Sequence, residues 1–264
     1  MKKLGLIMAL TLCLVTVAGC GKKEPSPVQN IKNAGTLKVA LVNDDTLICQ
    51  YDEAVGTYTG IEPGTVQTMA DNLGVTITYS KMSLADARTA LETGNADIAI
   101  GSINNEIDYQ YNYGISPEYK VGYVYAVTER GNFVDTYGAL KGKNVGIYRG
   151  ISNTVRKEIE GIENVSINEY EDIDKVKADL KSGKIEAYFC YEKQAKNIVT
   201  DTNYQTQNIM DSSLEYYVIL TNVNSPDVLN EVNTALAQYS QIYKEQLAAS
   251  EAEDENTEES QTEN

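Results

Sequence analysis

The chain alternates short apolar segments with amphipathic ones, and this order limits the folds open to it. Val66, Met69, Ala70 and Leu73 have the i, i+3, i+4, i+7 spacing of a helix, and the apolar segments on either side have the length of buried strands. The first half predicts strands at 37–42, 75–79 and 97–100, and helices at 65–73 and 83–94. Strand, helix, strand, helix, strand predicts a parallel sheet with right-handed crossovers and flanking helices.

The same order recurs in the second half. Predicted strands lie at 144–148, 165–170 and 185–190, with helices at 152–160 and 172–180 between them. A Leu-x-x-Gly-x-x-acid motif precedes the last strand of each half, at residues 91–97 and 180–186. We therefore predict an α/β fold with two similar lobes, each a mainly parallel sheet flanked by helices.

Two more strand-like segments and a helix lie outside this repeat. The strands are at 122–128 and 216–221, and the helix follows at 228–243. If the helix packs on the first lobe, the chain crosses between the lobes twice. The sequence therefore predicts a two-strand hinge, with ligand binding in the cleft between the lobes.

The first twenty residues have the features of an export signal. Lys2 and Lys3 precede an apolar run, 4–17, that is too short to span a membrane and is typical of a signal peptide. Ala18-Gly19-Cys20 then resembles a bacterial lipobox, which implies a signal peptide of 1–19 and a lipid on Cys20. A secreted protein cleaved nearby is the alternative. We expect an extracytoplasmic protein, lipid-anchored to the bacterial cell membrane through a polar stalk at 20–34.

Acidic residues dominate the composition and the C-terminus. The formal net charge is −16 at pH 7, and a surface of this sign repels nucleic acid. The segment 249–264 is rich in Glu, contains no basic residue and has few apolar residues. It predicts a disordered acidic tail.

The chain contains no histidine. This removes the Ser-His and Cys-His nucleophile arrangements and the commonest metal ligand, whereas carboxylate chemistry stays possible. We predict no catalytic residue, no metal and no cofactor. Of the four cysteines, Cys13 leaves with the signal and Cys20 takes the lipid. A disulfide between Cys49 and Cys190 suits an oxidising compartment, but it would tie the two lobes shut. We therefore expect two free, buried thiols.

Six motifs, in order, resemble those of the family 3 solute-binding proteins, the amino-acid-type receptors of ABC importers. They are Gly35-Thr-Leu-Lys-Val39, Gly60-Ile-Glu62, Ala90-Leu-Glu-Thr-Gly94-Asn-Ala-Asp97, Ser116-Pro-Glu-Tyr119, Leu140-Lys-Gly-Lys-Asn-Val145 and Leu229-Asn-Glu-Val-Asn-Thr-Ala-Leu236. The resemblance implies a periplasmic-binding-protein-like fold, with lobe 1 at 35–124 and 217–248 and lobe 2 at 125–216. It also implies that the lobes close on a small polar solute, which then passes to the transmembrane subunits of an ABC permease. We expect a monomer.

The resemblance places candidate ligand-binding residues on two loops of lobe 1. The family's stacking aromatic falls on Leu47, and the arginine that pairs with the ligand's carboxylate falls on Tyr109. The candidates on this lobe are Asp44, Leu47, Tyr51, Gly101, Ser102, Asn104 and Tyr109.

The candidates on lobe 2 are Arg149, Ser152, Asn153 and Tyr191. Ser152 and Asn153 belong to a predicted helix start, whose free N–H groups favour an anion. Arg149, beside the Gly150 turn, is a candidate replacement for the missing arginine. The acid that pairs with the ligand's ammonium group falls on Tyr191.

Both charged anchors of the family are thus replaced by tyrosine. An ordinary α-amino acid would then have its charges buried without partners, which is costly. We expect a small polar solute that is amino-acid-like, or another amine or aromatic compound, held by stacking or cation–π contacts. The candidate cleft tyrosines are Tyr109, Tyr111, Tyr113, Tyr148 and Tyr191. The alternative is that these tyrosines are surface and core residues of a strand edge.

Two other functions remain open on the sequence. A ligand-sensing or adhesion module without an importer would also tolerate a degenerate site. A cyclohexadienyl-dehydratase-like lyase on the same scaffold could use Asp44, Asp45 or Glu62 as acid and base, although such residues serve equally well as loop caps.

Overall fold

Two β-sheets of mixed strand direction organise the chain. The computed structural model describes residues 24–210, 212 and 214–262, with side chains as far as residue 245. The predicted signal peptide and the lipid acceptor Cys20 lie outside the described residues.

The first sheet takes strands from two separate parts of the chain. This part contains β1 (Thr36–Leu41), β2 (Gln50–Asp52), β3 (Thr57–Thr59), β4 (Thr76–Lys81), β5 (Ile98–Asn104), β6 (Tyr113–Ile115), β7 (Lys120–Gly122) and β13 (Glu215–Asn222). The sheet order is β4-β1-β5-β13-β6, with β7 also paired to β13, while β2 and β3 form a separate hairpin. β1 pairs in parallel with β4 and β5, whereas β13 runs antiparallel to its neighbours.

The second sheet repeats this plan. Its strands are β8 (Tyr125–Glu129), β9 (Asn144–Tyr148), β10 (Ser166–Tyr170), β11 (Ala187–Cys190) and β12 (Tyr204–Asn208), in the order β10-β9-β11-β8-β12. β9 pairs in parallel with β10 and β11, and β8 runs antiparallel to β11 and β12. The antiparallel strands lie where the chain enters and leaves each sheet, so the sheets are mixed although their β-α-β-α-β units are parallel.

The helices pack around these sheets. They are α1 (Pro27–Ala34), α2 (Ile61–Leu73), α3 (Leu84–Thr93), α4 (Asn153–Glu160), α5 (Ile173–Lys181), α6 (Glu192–Val199) and α7 (Pro226–Thr262). Local sequence sets several ends: the Ser83 side chain accepts a hydrogen bond from the N–H of Asp86 at the start of α3, and Gly94 ends α3 in the left-handed conformation. Asp172 caps α5 in the same way as Ser83 caps α3.

Each sheet has its own apolar core. Residues such as Leu37, Met69 and Ile98 are buried around the first sheet, and residues such as Ile147 and Phe189 are buried around the second. Together with the crossings of the chain before β8 and before β13, this gives two lobes. The predicted two-lobed α/β fold is confirmed.

The N-terminal stalk differs from its prediction. Instead of an extended segment, residues 27–34 form α1, with Ile31 buried against the first sheet. Ser26 accepts a hydrogen bond from the N–H of Gln29, Pro27 lies in the first turn, and Gly35 follows in the left-handed conformation. These are the start and stop signals of a helix, and they outweigh the polar composition from which a stalk was predicted.

The C-terminal segment also differs from its prediction. The backbone of α7 is helical as far as Thr262, so the disordered tail predicted for 249–264 is wrong for the described part. The segment contains neither Gly nor Pro and is rich in Glu, which has high helix propensity. Within the described residues, no helix combines the length and the apolar character needed to cross a bilayer.

Candidate functional site

A cleft of about 500 Å³ lies between the two lobes, and we call it the main cleft. Lobe 1 provides the end of β1, part of α3, and β5 with the turn after it. Lobe 2 provides the turn before α4, the start of α4 and Tyr191, and β13 provides Glu215. The lining residues used below are Arg88, Ser102, Glu106, Ser152, Tyr191 and Glu215.

A second pocket of about 260 Å³ adjoins the main cleft and shares Ser102 and Tyr191 with it. Its wall is more aromatic: Tyr123, Tyr125 and Tyr217 line it, together with residues of the loop after β1. We call this second cavity the aromatic pocket. The main cleft is the charged and polar part of the site, and the aromatic pocket is its aromatic part.

A strained turn in β5 forms the floor on lobe 1. Gly101 has φ of 117°, and a Cβ at this position would lie 2.3 Å from the backbone nitrogen of Asn43. Only glycine therefore fits there. Ser102 follows with φ of 55°, which is uncommon for a residue other than glycine. The sequence predicted a loop after the third strand, but the strand continues through these residues to Asn104.

Glu62 fixes this turn from behind. Its Oε1 accepts hydrogen bonds from the backbone N–H of Gly101 (3.1 Å) and Ser102 (2.9 Å), and from the Tyr119 hydroxyl. The side chain is fully buried, and burial raises the pKa of its carboxyl group. Glu62 lines neither cavity, so its position supports a role in holding the turn rather than as an acid or base.

The wall on lobe 2 begins at the N-terminus of α4. Ser152 accepts a hydrogen bond from the N–H of Val155 (3.2 Å) and donates its own N–H to the Tyr191 hydroxyl (2.9 Å). Tyr191 is the residue directly before α6, so it links the starts of two helices. The side chains of Ser152 and Tyr191 are held in place before any solute arrives, which reduces the entropy lost on binding.

Hydrogen bonds and an ion pair join the lobes beside the cleft. Asp45 of lobe 1 accepts hydrogen bonds from Gln194 Nε2 at its backbone oxygen and at Oδ2, both at 2.9 Å. Its Oδ1 lies 2.7 Å from Lys193 Nζ, and the Tyr148 hydroxyl donates to its Oδ2 at 3.3 Å. On the opposite side, the Thr154 hydroxyl donates to Glu106 Oε1 at 3.1 Å. The structure therefore has the lobes in contact.

Charged groups of both signs line the main cleft. Arg88 and Lys157 are the basic residues, and Glu106, Asp108 and Glu215 are the acidic ones. The sequence predicted that both charged anchors were missing. Residues elsewhere in the chain supply charge of both signs, so the physical basis of that expectation does not hold.

Arg88 lies close to Tyr109, the position at which the family has its arginine. Its guanidinium carbon is 5.4 Å from the ring centre of Tyr109 and 5.5 Å from that of Tyr113, and its Nε donates to the Tyr113 hydroxyl at 3.2 Å. The stacked rings hold the guanidinium group at the edge of the cleft. The sequence did not indicate that Arg88 lies at the cleft, because Arg88 belongs to α3 and comes well before Tyr109, the position of the family's arginine.

Most of the predicted site residues lie at the two cavities. Leu47 lines the aromatic pocket, Ser102 and Tyr191 line both cavities, and the main cleft also contains Gly101, Asn104, Tyr109, Ser152 and Asn153. Their contribution to binding stays a prediction.

Three predicted site residues do not line either cavity. Asp44 is paired with Lys81 of its own lobe. Tyr51 is 50% exposed on the β2–β3 hairpin. Arg149 pairs with Glu169 and Glu171 on the second lobe. The turn at Gly150 directs the Arg149 side chain toward these acids, so it does not replace the missing arginine.

The candidate tyrosines have different environments. Tyr109 and Tyr191 line the cleft, whereas Tyr148 contacts Asp45 and Tyr113 contacts Arg88. Tyr111 is 75% exposed and lines neither cavity. Tyr113 and Tyr148 are as buried as Tyr109 and Tyr191, so position in the fold, rather than burial, separates the tyrosines that line the cleft from the others.

The two cysteines of the described chain are free and fully buried. Cys49 packs in the first lobe and Cys190 in the second, and burial raises the pKa of both thiols. No group of three or more acidic or cysteine side chains suited to a metal ion is found in the part of the chain that the structure describes.

Comparisons with known proteins agree with this architecture. The sequence pattern of the bacterial extracellular solute-binding proteins, family 3, matches residues 37–247. The L-cystine-binding protein TcyJ of Escherichia coli K12 is 27% identical over 242 residues, which cover 88% of this chain and 87% of that relative.

Solved structures show the same fold. A mutant of ArgBP from T. maritima superposes with a TM-score of 0.68 at 21% identity, covering 84% of this chain and 96% of the other. AbpA from Streptococcus pneumoniae, bound to L-arginine, superposes with a TM-score of 0.66 at 20% identity, covering 82% of this chain and 96% of the other. Both share the two-lobed fold of this chain.

Proposed function

This chain belongs to the bacterial extracellular solute-binding proteins, family 3, and we propose that it captures an amino-acid-type solute in the main cleft and delivers it to an ABC permease. The relatives found by comparison are solute-binding proteins rather than enzymes. The lyase alternative therefore has no support from the relatives.

The charge distribution of the main cleft carries the proposal. An amino acid brings one carboxylate and at least one ammonium group, and each must find an opposite charge when water is excluded. The cleft contains Arg88 for the anion and acidic residues for the cation, within about 500 Å³. This volume lies in the usual range for pockets that enclose small molecules.

The adjoining aromatic pocket supports a solute with a longer side chain. Leu47, Tyr123 and Tyr125 line it, and it opens from Ser102 and Tyr191 at the edge of the main cleft. A solute anchored by its charged end in the main cleft would place its remaining atoms against these apolar surfaces. We propose that this second part determines which amino acid is preferred.

Three features of the sequence complete the proposal. We propose that Cys20 carries the lipid anchor, that the mature protein is a monomer, and that the lobes are 35–124 with 217–248, and 125–216. The division of the strands between the two sheets supports these lobe boundaries. Substituting Cys20→Ala is expected to move the protein from the membrane fraction to the soluble fraction of the cell envelope.

The proposal is tested by titration calorimetry of the unlipidated protein with the twenty common L-amino acids and L-cystine. We expect micromolar or tighter binding of at least one, and an Arg88→Ala variant that binds it more weakly. A matched Arg149→Ala variant, which removes the same charge outside the cleft, is expected to keep the wild-type affinity. Binding of none of these compounds would contradict the proposed function.

A further inference from the structure

Glu215 is a buried carboxylate in the crossing between the lobes. It is the first residue of β13, the strand by which the chain returns from the second sheet to the first. Its side chain is 2% exposed and lines the main cleft. Nothing in the sequence marked it, because a single Glu before an apolar strand has no distinctive pattern.

One oxygen of this carboxylate has no hydrogen-bond partner. Oε2 accepts from the Tyr217 hydroxyl at 3.2 Å, whereas Oε1 is buried and unpaired. A buried polar atom without a partner destabilises the folded state, so native proteins rarely leave one unpaired. An unpaired oxygen at the wall of a binding cleft therefore points to a partner on the solute.

The surroundings favour a cation as that partner. Within the described residues, no lysine or arginine forms an ion pair with Glu215, and the nearby Glu106 adds negative charge. Burial raises the pKa of Glu215, while the neighbouring hydroxyls of Ser152, Tyr191 and Tyr217 lower it by less. Tyr191 and Tyr217 are the other titratable groups that face it. The cleft further contains Asp108, Arg88 and Lys157.

We propose that Glu215 binds the cationic group of the solute, an ammonium or guanidinium group that donates to Oε1. This assignment rests on the proposed function and names the residue of the site that recognises positive charge on the solute. Burial raises the pKa of Glu215, and a bound cation favours its carboxylate form, so the carboxylate faces the cation in the closed protein. Because Glu215 lies on a crossing strand, the new hydrogen bond joins the solute to the segment about which the lobes move.

The experiment compares Glu215→Gln with wild type by titration calorimetry. The probes are L-arginine, L-cystine, putrescine, which has amines and no carboxylate, and glutarate, which has carboxylates and no amine. We expect Glu215→Gln to weaken the binding of the tightest amine-bearing probe by about 10- to 100-fold. Glu186→Gln removes the same charge from a surface ion pair with Lys143 and is expected to have no effect.

The outcomes separate the two proposals. Wild-type binding of an amine-bearing probe with full affinity retained in Glu215→Gln overturns the role of Glu215 and leaves the proposed function intact. Binding of glutarate alone overturns the role of Glu215 as well. If no probe binds but another of the twenty common L-amino acids does, that amino acid is the amine-bearing probe for Glu215→Gln. Binding of none of these compounds overturns both proposals.

A second measurement distinguishes recognition from a structural role. Calorimetry of the wild type at several pH values from 4.5 upward, in two buffers with different ionisation enthalpies at each pH, is expected to show proton release on binding within this range, which Glu215→Gln lacks. If Glu215→Gln does not fold, as judged by circular dichroism, the measurement of proton release by the wild type tests the proposal. An absence of proton release then overturns the proposal.

Discussion

Asp45→Ala is expected to destabilise the closed arrangement of the lobes without altering either cavity. Asp45 contacts the second lobe through Gln194, Lys193 and Tyr148, and it lines neither the main cleft nor the aromatic pocket. These contacts form only when the lobes are together. The substitution therefore acts on the open–closed equilibrium rather than on contacts with the solute.

The expected magnitude follows from the exposure of each contact. The Asp45 side chain is 52% exposed and that of Lys193 is 20% exposed, so the ion pair contributes about 0.2–1 kcal/mol. The hydrogen bond from Gln194 to Oδ2 contributes about 0.5–1.5 kcal/mol, while its bond to the Asp45 backbone oxygen remains after the substitution. The sum is about 0.7–2.5 kcal/mol, which corresponds to about 3- to 70-fold weaker binding.

The assay is stopped-flow dissociation of the tightest-binding amino acid, followed by intrinsic fluorescence of the 19 tyrosines, since the chain contains no tryptophan. We expect the change mainly as faster dissociation, because the lost contacts stabilise the closed state. Asp44→Ala is the matched control: it removes the same charge from the neighbouring residue, whose partner Lys81 belongs to its own lobe. Equal rates in the two variants would refute the reasoning.

Two further predictions concern the turn beneath the cleft. Gly101→Ala is expected to lower the free energy of unfolding by about 2–4 kcal/mol, because the added Cβ would lie 2.3 Å from the Asn43 backbone nitrogen. The control is Gly131→Ala, at a position with φ of 99° and open space around it, which should lower the free energy of urea unfolding clearly less. Equal losses in the two variants would contradict the steric argument. Burial raises the pKa of Glu62 above its ordinary value of 4.5, so its protonation stabilises the fold at low pH, and this contribution is lost as the pH rises from 4.5 through the folded-state pKa. Urea unfolding at several pH values above 4.5 should therefore show a smaller loss of stability with rising pH in Glu62→Gln than in wild type; identical slopes would show that Glu62 is ionised throughout.

This protein differs from the pattern inferred for its family in which residues bring charge to the cleft. The sequence placed tyrosine at both expected anchor positions, Tyr109 and Tyr191. In the structure, Arg88 stacks on Tyr109, and the buried Glu215 lies in the same cleft as Tyr191. Tyrosines at the expected positions are thus accompanied by charged residues from other elements.

The sequence by itself determined the features that depend on neighbouring residues. The helical spacing of Val66 and Met69, the cap at Ser83 and the stop at Gly94 all act over a few residues, and the predicted helices and parallel strands follow from them. The repeated order of these elements was enough to predict two lobes and a cleft. Ser152 was placed at the cleft by the resemblance to the family, and the structure has it at the start of α4.

Only the tertiary structure decided which charges meet in the cleft. Glu215 and Glu106 are far apart in the chain, and their proximity depends on the pairing of β13 with β5. Arg149 was predicted at the cleft, but the pairing of β9 with β10 brings Glu169 and Glu171 near it instead. Charge pairing depends on distance in space and on burial, and both are fixed only when segments remote in sequence pack together.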